Sequence, residues 1–331
     1  GPLPEGAVYY NPDFADVLET YGREGPRFVM EGEVGAALID IAREGGHLSS
    51  EDLCAYEPVW RSPLAIRRGS FEIALNPAPS LGGTLIALSL ELTGSLSGPV
   101  DLARVFQAVS ACRAEAADDP ARLAAPDLVD HYRATLSRHA VSTRGTTQIS
   151  VVDVDGNAVS LTLSNGEGCG LIVPGTGIMP NNMLGEEDLV PGDWQSWPCD
   201  ARLASMMCPL VARSRDGALL VMGSGGSNRI RTALSQVLLG IIDAGLDLEA
   251  AIHAPRLHIE EGRLDFERAG LAEETVQELM EAFPDAVAWP EASMFFGGVH
   301  AVSRTPKGDV FGVGDPRRAG VALPAAHYVA G

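Results

Sequence analysis

The sequence predicts an α/β protein of the α+β type, in which a mostly helical first part joins antiparallel sheet with packed helices. Three observations carry this reading. The first 140 residues hold amphipathic runs and helix-start signals, as in Gly32 to Arg43. Beyond Thr146, alternating or apolar runs are separated by the tight-turn pairs Asp155-Gly156, Asp216-Gly217 and Lys307-Gly308. Between the last two pairs lies a long apolar stretch, Arg229 to Ala244, preceded by Gly223-Ser224-Gly225-Gly226-Ser227-Asn228.

Taken in order, Ser49-Ser50-Glu51-Asp52 reads as the cap of a second helix, and Asp101 to Ala117 and Asp127 to Arg138 as two more. A strand pair is expected near Leu64 to Leu75, followed by Asn76-Pro77-Ala78-Pro79-Ser80, whose prolines bar helix until Gly83. Thr146 to Val152 and Ala158 to Leu163 form the two arms of a hairpin about Asp155-Gly156. The sequence shows neither an internal repeat nor a low-complexity linker. Length leaves one large domain or two moderate ones open.

With 331 residues, 46% of them apolar and 21% charged, the chain has the composition of a soluble globular protein. Its formal charge of −20 would repel phosphate backbones and anionic membranes, so neither nucleic acid nor membrane is an expected partner. Cys54, Cys112, Cys169, Cys199 and Cys208 are odd in number, widely spaced and without a C-x-x-C pair, which argues against a disulfide framework and a zinc site. A reducing compartment fits, and a cytoplasmic location is expected, or a periplasmic or secreted one if a leader has been removed. His253 and His258 straddle Pro255, which would end a helix between them, and His300 falls in an expected strand as a packing residue. No metal and no organic cofactor is expected.

The most specific segment is Gly145-Thr146-Thr147-Gln148-Ile149-Ser150-Val151-Val152-Asp153, followed by Asp155-Gly156-Asn157-Ala158-Val159. A threonine pair opening a strand is ordinary strand chemistry. The context is not ordinary. Pro174-Gly175-Thr176-Gly177-Ile178, Asn181-Asn182, Ser205-Met206-Met207-Cys208-Pro209 and Gly223-Ser224-Gly225-Gly226 follow in turn. Ala254-Pro255-Arg256-Leu257-His258, Gly297-Gly298-Val299-His300-Ala301 and Asp315-Pro316-Arg317-Arg318 close the series. Upstream stand Gly45-Gly46-His47-Leu48, Glu51-Asp52-Leu53-Cys54-Ala55-Tyr56 and Pro79-Ser80-Leu81-Gly82-Gly83. In this order the motifs resemble the late large subunit and the whole small subunit of the γ-glutamyltranspeptidases, a branch of the N-terminal-nucleophile hydrolases. The resemblance implies a four-layer α/β/β/α sandwich of two antiparallel sheets covered by helices, incomplete at its N-terminal side if an upstream segment is missing.

The resemblance also implies cleavage of the Gly145-Thr146 bond, leaving Thr146 as an N-terminal nucleophile. Its own α-amino group, with a reference pKa near 8, would then serve as general base for its hydroxyl. Gly145 allows the strained approach that self-cleavage needs. The two fragments, the large-subunit-like 1–145 and the small-subunit-like 146–331, would stay associated as one domain. Ser164 matches a hydroxyl that bonds the nucleophile, and Asn165 an asparagine that contacts the substrate's amino-acid end. Gly225 and Gly226 match a loop whose backbone N–H groups receive the oxyanion, although the family's proline is absent there. The helix after this loop would favour negative charge at its start. The Gly166, Gly168 and Gly170 run has no helix after it and is read as a loop over the site rather than a dinucleotide motif.

In the substrate pocket, Glu186 stands where the family has an aspartate that binds an α-amino group, within the acidic run Gly185-Glu186-Glu187-Asp188. Ser205 keeps one of two carboxylate-binding serines, and Met206 replaces the other. Gln148 occupies a position usually held by histidine. The early arginine of the large subunit has no counterpart, and Arg317 is a partial substitute or a structural ion pair. Three readings follow. One is a γ-glutamyltranspeptidase-like hydrolase or acyltransferase acting on a small amide or amino-acid-derived substrate. Another is a specialised relative in secondary metabolism, such as antibiotic biosynthesis, hydrolysing a non-glutamyl amide or a C–C bond. The third is a noncatalytic or uncleaved subunit completed by an additional chain that supplies the upstream part.

Overall fold

The computed structural model describes residue 4 and residues 6–94, 98–115, 145–186, 189–190, 198–260 and 262–324. The expected helix over 127–138 lies outside them. The chain divides into two compact units, Gly1–Arg61 with Glu167–Met183, and Ser62–Gly166 with Leu184–Gly331.

The first unit holds α1 (Pro12–Glu24), α2 (Arg27–Met30), α3 (Glu33–Ala42) and α4 (Ser50–Ala55). Asn11 caps α1 by accepting from the Phe14 N–H, with Pro12 occupying the first turn where its missing donor costs nothing. The expected capping box closes α4: the Ser49 side chain accepts from the Asp52 N–H, and Asp52 accepts from the Ser49 N–H. Val17, Phe28 and Val34 form a small core that Ile178 joins. Asn11 Nδ2 donates to the Gly177 carbonyl at 3.0 Å, tying the 167–183 segment to the start of α1. Gly168 and Gly170 adopt positive φ in a stretch without helix, whereas Gly166, expected in the same loop, is the last residue of a strand that pairs it with Gly145.

The second unit is built on a six-stranded antiparallel sheet in the order β1-β2-β5-β6-β10-β11. Its strands are β1 (Leu64–Arg68), β2 (Phe71–Leu75), β5 (Leu210–Ser214), β6 (Leu219–Gly225), β10 (Gly298–Arg304) and β11 (Val310–Val313). Asp216-Gly217 turns β5 into β6, and Lys307-Gly308 turns β10 into β11, with Gly217 and Gly308 both at positive φ. On one face of the sheet pack α5 (Leu81–Leu92) and α7 (Arg229–Ile242); α6 (Pro99–Glu115) lies against α5. Helix α5 starts at Leu81, two positions before the expected Gly83, because Ser80 already lies past the last proline and serves as its N-cap residue. Ile73, Leu85, Ile86, Leu210, Met222, Leu234 and Leu238 are fully or almost fully buried between sheet and helices. Each such side chain contributes roughly 1.5–3 kcal/mol relative to exposure.

On the opposite face lies the hairpin of β3 (Gly145–Val152) and β4 (Ala158–Gly166), packed against β6 and β10. Its turn is held by Asp153, whose carboxylate accepts from the Asp155 and Asn157 N–H groups, with Gly156 at φ +85°. The pleat sends Thr146, Gln148 and Ser150 of β3, and Ser160, Thr162 and Ser164 of β4, toward the six-stranded sheet. Ser150 Oγ donates to the His300 carbonyl at 2.9 Å and Ser160 Oγ to the Met222 carbonyl at 2.8 Å, so side-chain to main-chain bonds join the two sheets. Ile149, Val151, Val159, Leu161 and Leu163 turn the other way and are exposed. Helix layer, sheet and sheet are thus stacked as the fold class requires.

A further sheet combines β7 (Leu257–Glu260), β8 (Arg263–Glu267) and β9 (Val287–Trp289), the last pair parallel. The sequence reading did not include it. The unit is completed by α8 (Leu248–His253) and α9 (Glu273–Ala282), and a second core of Phe106, Ile259, Leu264, Phe266 and Leu279 joins this sheet to α6 and α9.

Candidate active site

Thr146 is the second residue of β3, at a register irregularity between Gly145 and Thr146, opposite Ser164 on β4. The two hydroxyls lie 3.1 Å apart, and Ser164 Oγ also accepts from the Gly166 N–H at 3.1 Å. The pleat accounts for this pair, since both residues sit on the inward face. Asn165, one residue on, is exposed on the outward face.

Against Thr146 stands the end of β6. A Cβ on Gly225 would overlap the Thr146 carbonyl oxygen, and a Cβ on Gly226 would come within 2.8 Å of Gly297 Cα. Gly226 has φ +125° and Ser227 φ +51°, so the chain leaves the sheet through positive-φ backbone before α7 begins. The loop is fixed from beneath by fully buried Ser224, whose Oγ donates to the Gly225 carbonyl at 2.9 Å and accepts from the Gly298 N–H at 3.2 Å. Asn228, at the start of α7, accepts from Arg113 Nη1 at 3.1 Å and donates to Glu260 Oε1 at 2.8 Å. Glu260 also bonds His258 Nε2 at 2.9 Å, and His258 Nδ1 lies 2.9 Å from Thr232 Oγ1 of the same helix. Burial pushes the His258 pKa down to about 4, which keeps the ring neutral near neutral pH. The start of α7 is therefore anchored by buried polar contacts that sequence reasoning did not anticipate.

The other expected site residues are distributed as follows. Gln148 is buried beneath Gly223, its Nε2 donating to the Ser150 and Ser160 hydroxyls at 3.0 and 2.9 Å and its Oε1 accepting from Thr162 at 2.5 Å. Its amide is thereby engaged within the hairpin interior. Met206 is buried in the main core. Ser205 lies beside the start of α5: its carbonyl accepts from the Leu81 and Gly82 N–H groups, and its Oγ from the Met207 N–H. Gly82 is required here, because a Cβ would overlap the Met206 carbonyl. Glu186 is only 5% exposed, so it is not part of a solvated acidic face.

Arg317 is a buried ion-pair residue. It grips Glu267 through Nε at 2.7 Å and Nη2 at 2.5 Å, and donates to the Ile252 and Ala254 carbonyls at 2.9 Å each. Asp315 accepts from the Arg317 N–H at 3.0 Å and from the Val299 N–H at 2.9 Å, and pairs with Arg256 at 2.6 Å. Burial would raise the Asp315 pKa, but the Arg256 and Arg317 charges and the two N–H donors outweigh it and hold the carboxyl below its usual range. Of the alternatives open to Arg317, the structural ion pair is the one seen. Its neighbour Arg318 lies instead against Gly225, Gly226 and Gly298. A cavity of about 820 Å3 lined by Arg68, Leu102, Gln236, Leu239 and Asp243 shares no lining residue with the Thr146 cluster.

A family model described as gamma-glutamyltranspeptidase matches residues 1–325. The chain belongs to the gamma-glutamyltranspeptidase family. Among curated relatives it is 31% identical to the Acylase ACY 1 proenzyme of Pseudomonas sp. strain SE83 over 94% of this chain, and 28% identical to the glutathione hydrolase proenzyme of Escherichia coli K12 over 96%. The chain spans about three-fifths of the length of these relatives, 60% and 62% respectively. Its fold matches that of cephalosporin acylase from Bacillus halodurans with a TM-score of 0.78 at 21% identity, covering 96% of this chain and 63% of the other. In this member of the gamma-glutamyltranspeptidase family, Thr146 lies beside both Ser164 and Gly225. No helix among the described residues is long and apolar enough to cross a membrane.

Proposed function

We propose that this chain is the catalytic part of a gamma-glutamyltranspeptidase-like hydrolase or acyltransferase. In this reading Thr146, freed by cleavage after Gly145, attacks the carbonyl of a small amide substrate. The observation that carries the reading is the Thr146–Ser164 hydroxyl pair at 3.1 Å with the Gly225 backbone packed against Thr146. The hydroxyl of the freed Thr146 would lose its proton to its own α-amine as it adds to the acyl carbon. The adduct then collapses with breakage of the amide C–N bond, the proton passing from the α-ammonium to the departing amine, and water or an amine later takes the acyl group and returns Thr146. Ser164 orients the nucleophile. The Gly225-Gly226 loop faces the charge that develops on the carbonyl oxygen. The relatives' proenzyme names support conversion of a precursor, as this reading requires.

Mass spectrometry of the purified protein tests the first step, with a fragment beginning at Thr146 expected. Thr146→Ala should leave the chain intact and abolish turnover of a γ-glutamyl anilide; retained turnover would sink the reading.

A second reading, a non-glutamyl acylase, is favoured by one observation. Met206 and Gln148, which replace family head-group residues, are both engaged inside the fold. Completed cleavage without γ-glutamyl anilide turnover, together with hydrolysis of other acyl anilides, is its expected signature.

A further inference from the structure

The sequence singled out Arg317 as a cation for the site, yet Arg317 and Arg256 are bound to Glu267 and Asp315 in the interior. Arg318 follows a different course. It ends the 3-10 turn Pro316–Arg318, its N–H bonded to the Asp315 carbonyl at 3.2 Å, and the next residue, Ala319, is left-handed at φ +49°. The turn lays the Arg318 stem flat on β10: a Cβ on Gly298 would stand 2.5 Å from Arg318 Cδ and 2.7 Å from its Cγ. Only glycine leaves room there. The head of the side chain then reaches the loop at the end of β6. Arg318 Nη1 lies 3.5 Å from the position of a Gly225 Cβ, and Nη2 lies 3.4 Å from that of a Gly226 Cβ. Gly225 at the end of β6, Gly226 just beyond it and Gly298 on β10 thus surround the course of one guanidinium.

We infer that Arg318 is a further catalytic residue, which together with the Gly225-Gly226 loop forms the binding site for the tetrahedral oxyanion. This rests on the acyl-transfer reading above. When Thr146 Oγ1 adds to the acyl carbon, a C–O bond forms, the hydroxyl proton passes to the Thr146 α-amine, and the carbonyl π pair moves onto oxygen. That oxygen acquires charge beside backbone donors in a half-buried site, where a fixed guanidinium acts at reduced dielectric. Burial lowers the Arg318 pKa from its ordinary value and the Asp315 charge opposes this; a guanidinium starts so far above neutral that it stays protonated near pH 7. In a chain of net charge −20, a positive charge fixed against this loop also offsets the general repulsion of anions.

The test uses the full chain with Arg318→Gln and Arg318→Lys, the latter keeping the stem over Gly298. With a γ-glutamyl anilide and a neutral butyryl anilide, Arg318→Gln should lower kcat by about 10- to 100-fold while KM changes by less than about 2-fold, equally for both acyl groups. Arg318→Lys should fall between Arg318→Gln and wild type. An unchanged kcat, or a loss confined to the anionic acyl group, overturns the inference. A second measurement does not need turnover: calorimetric binding of phenylphosphonate to the cleaved protein, with cleavage of each Arg318 variant verified by mass spectrometry. Binding weakened at least 10-fold by Arg318→Gln or Arg318→Lys supports the site, whereas no binding, or equal binding with Arg318 intact and replaced, overturns it. If neither anilide is turned over by the wild type, the acyl-transfer reading fails, and the phosphonate comparison still decides the role of Arg318.

Discussion

The hydroxyls of Thr146 and Ser164 lie 3.1 Å apart across the β3–β4 hairpin, on the inward face that both strands share. Ser164 also accepts from the Gly166 N–H, so its oxygen is held in place by the backbone at the end of β4. Ser164→Ala removes this partner without changing the strand pairing. The expected result is a fall in kcat of about 10-fold, corresponding to about 1.4 kcal/mol for one lost hydrogen bond. The melting temperature should stay within a few degrees of wild type, and steady-state kinetics with calorimetry checks both.

Gly225 is constrained by the Thr146 backbone itself. A methyl at Gly225 meets the Thr146 carbonyl oxygen, which is main chain on a paired strand and has no rotamer to change. Gly225→Ala should therefore push β3 off β6, destabilise the fold by about 1–3 kcal/mol and slow or stop cleavage after Gly145. The neighbouring Gly217→Ala, in an open turn at φ +95°, serves as a comparison that strains the backbone without touching Thr146. Urea unfolding and denaturing gels distinguish the two.

Arg317→Met would leave Glu267 and Asp315 in the interior without one of their cations. Breaking one side of a buried pair costs about 3–5 kcal/mol. A loss of that size in chemical denaturation, far above that of the exposed Arg27–Glu31 pair, is expected.

His258 makes stability pH-dependent. In the folded chain its pKa is pushed down to about 4 by burial, against an ordinary value of 6.5. Between these values the unfolded chain takes up a proton that the folded chain does not. Stability is therefore complete above 6.5 and declines as pH falls toward 4, by on the order of 3 kcal/mol from this group. Denaturation midpoints at pH 7 and pH 4.5 should differ, and His258→Gln should reduce the difference.

The hairpins at Asp155-Gly156, Asp216-Gly217 and Lys307-Gly308 were legible because turn chemistry is local: each needs positive φ over one or two residues. The capping box at Ser49 and the apolar helix after Asn228 were legible for the same reason. The sheet of β7, β8 and β9 was not, since β9 is three residues long and joins in parallel across the intervening helix α9. Arg317 and Arg318 show the same limit within the site. Adjacent in sequence and alike in chemistry, they go to opposite uses, and nothing local in Asp315-Pro316-Arg317-Arg318 says which arginine turns inward.

By itself the sequence determined that one strand runs from Thr146 to Val152, that its hairpin partner covers Ala158 to Leu163, and that a glycine-rich turn precedes a long helix. Those properties depend on alternation, turn residues and motif order along the chain. Only the tertiary structure decided that Gly225 abuts Thr146, that Gln148 and Met206 are spent on the interior, and that Arg318 rather than Arg317 lies on the loop. These depend on which strand faces which across the two sheets, and on the burial energy that selects one packing among many compatible with the same local pattern.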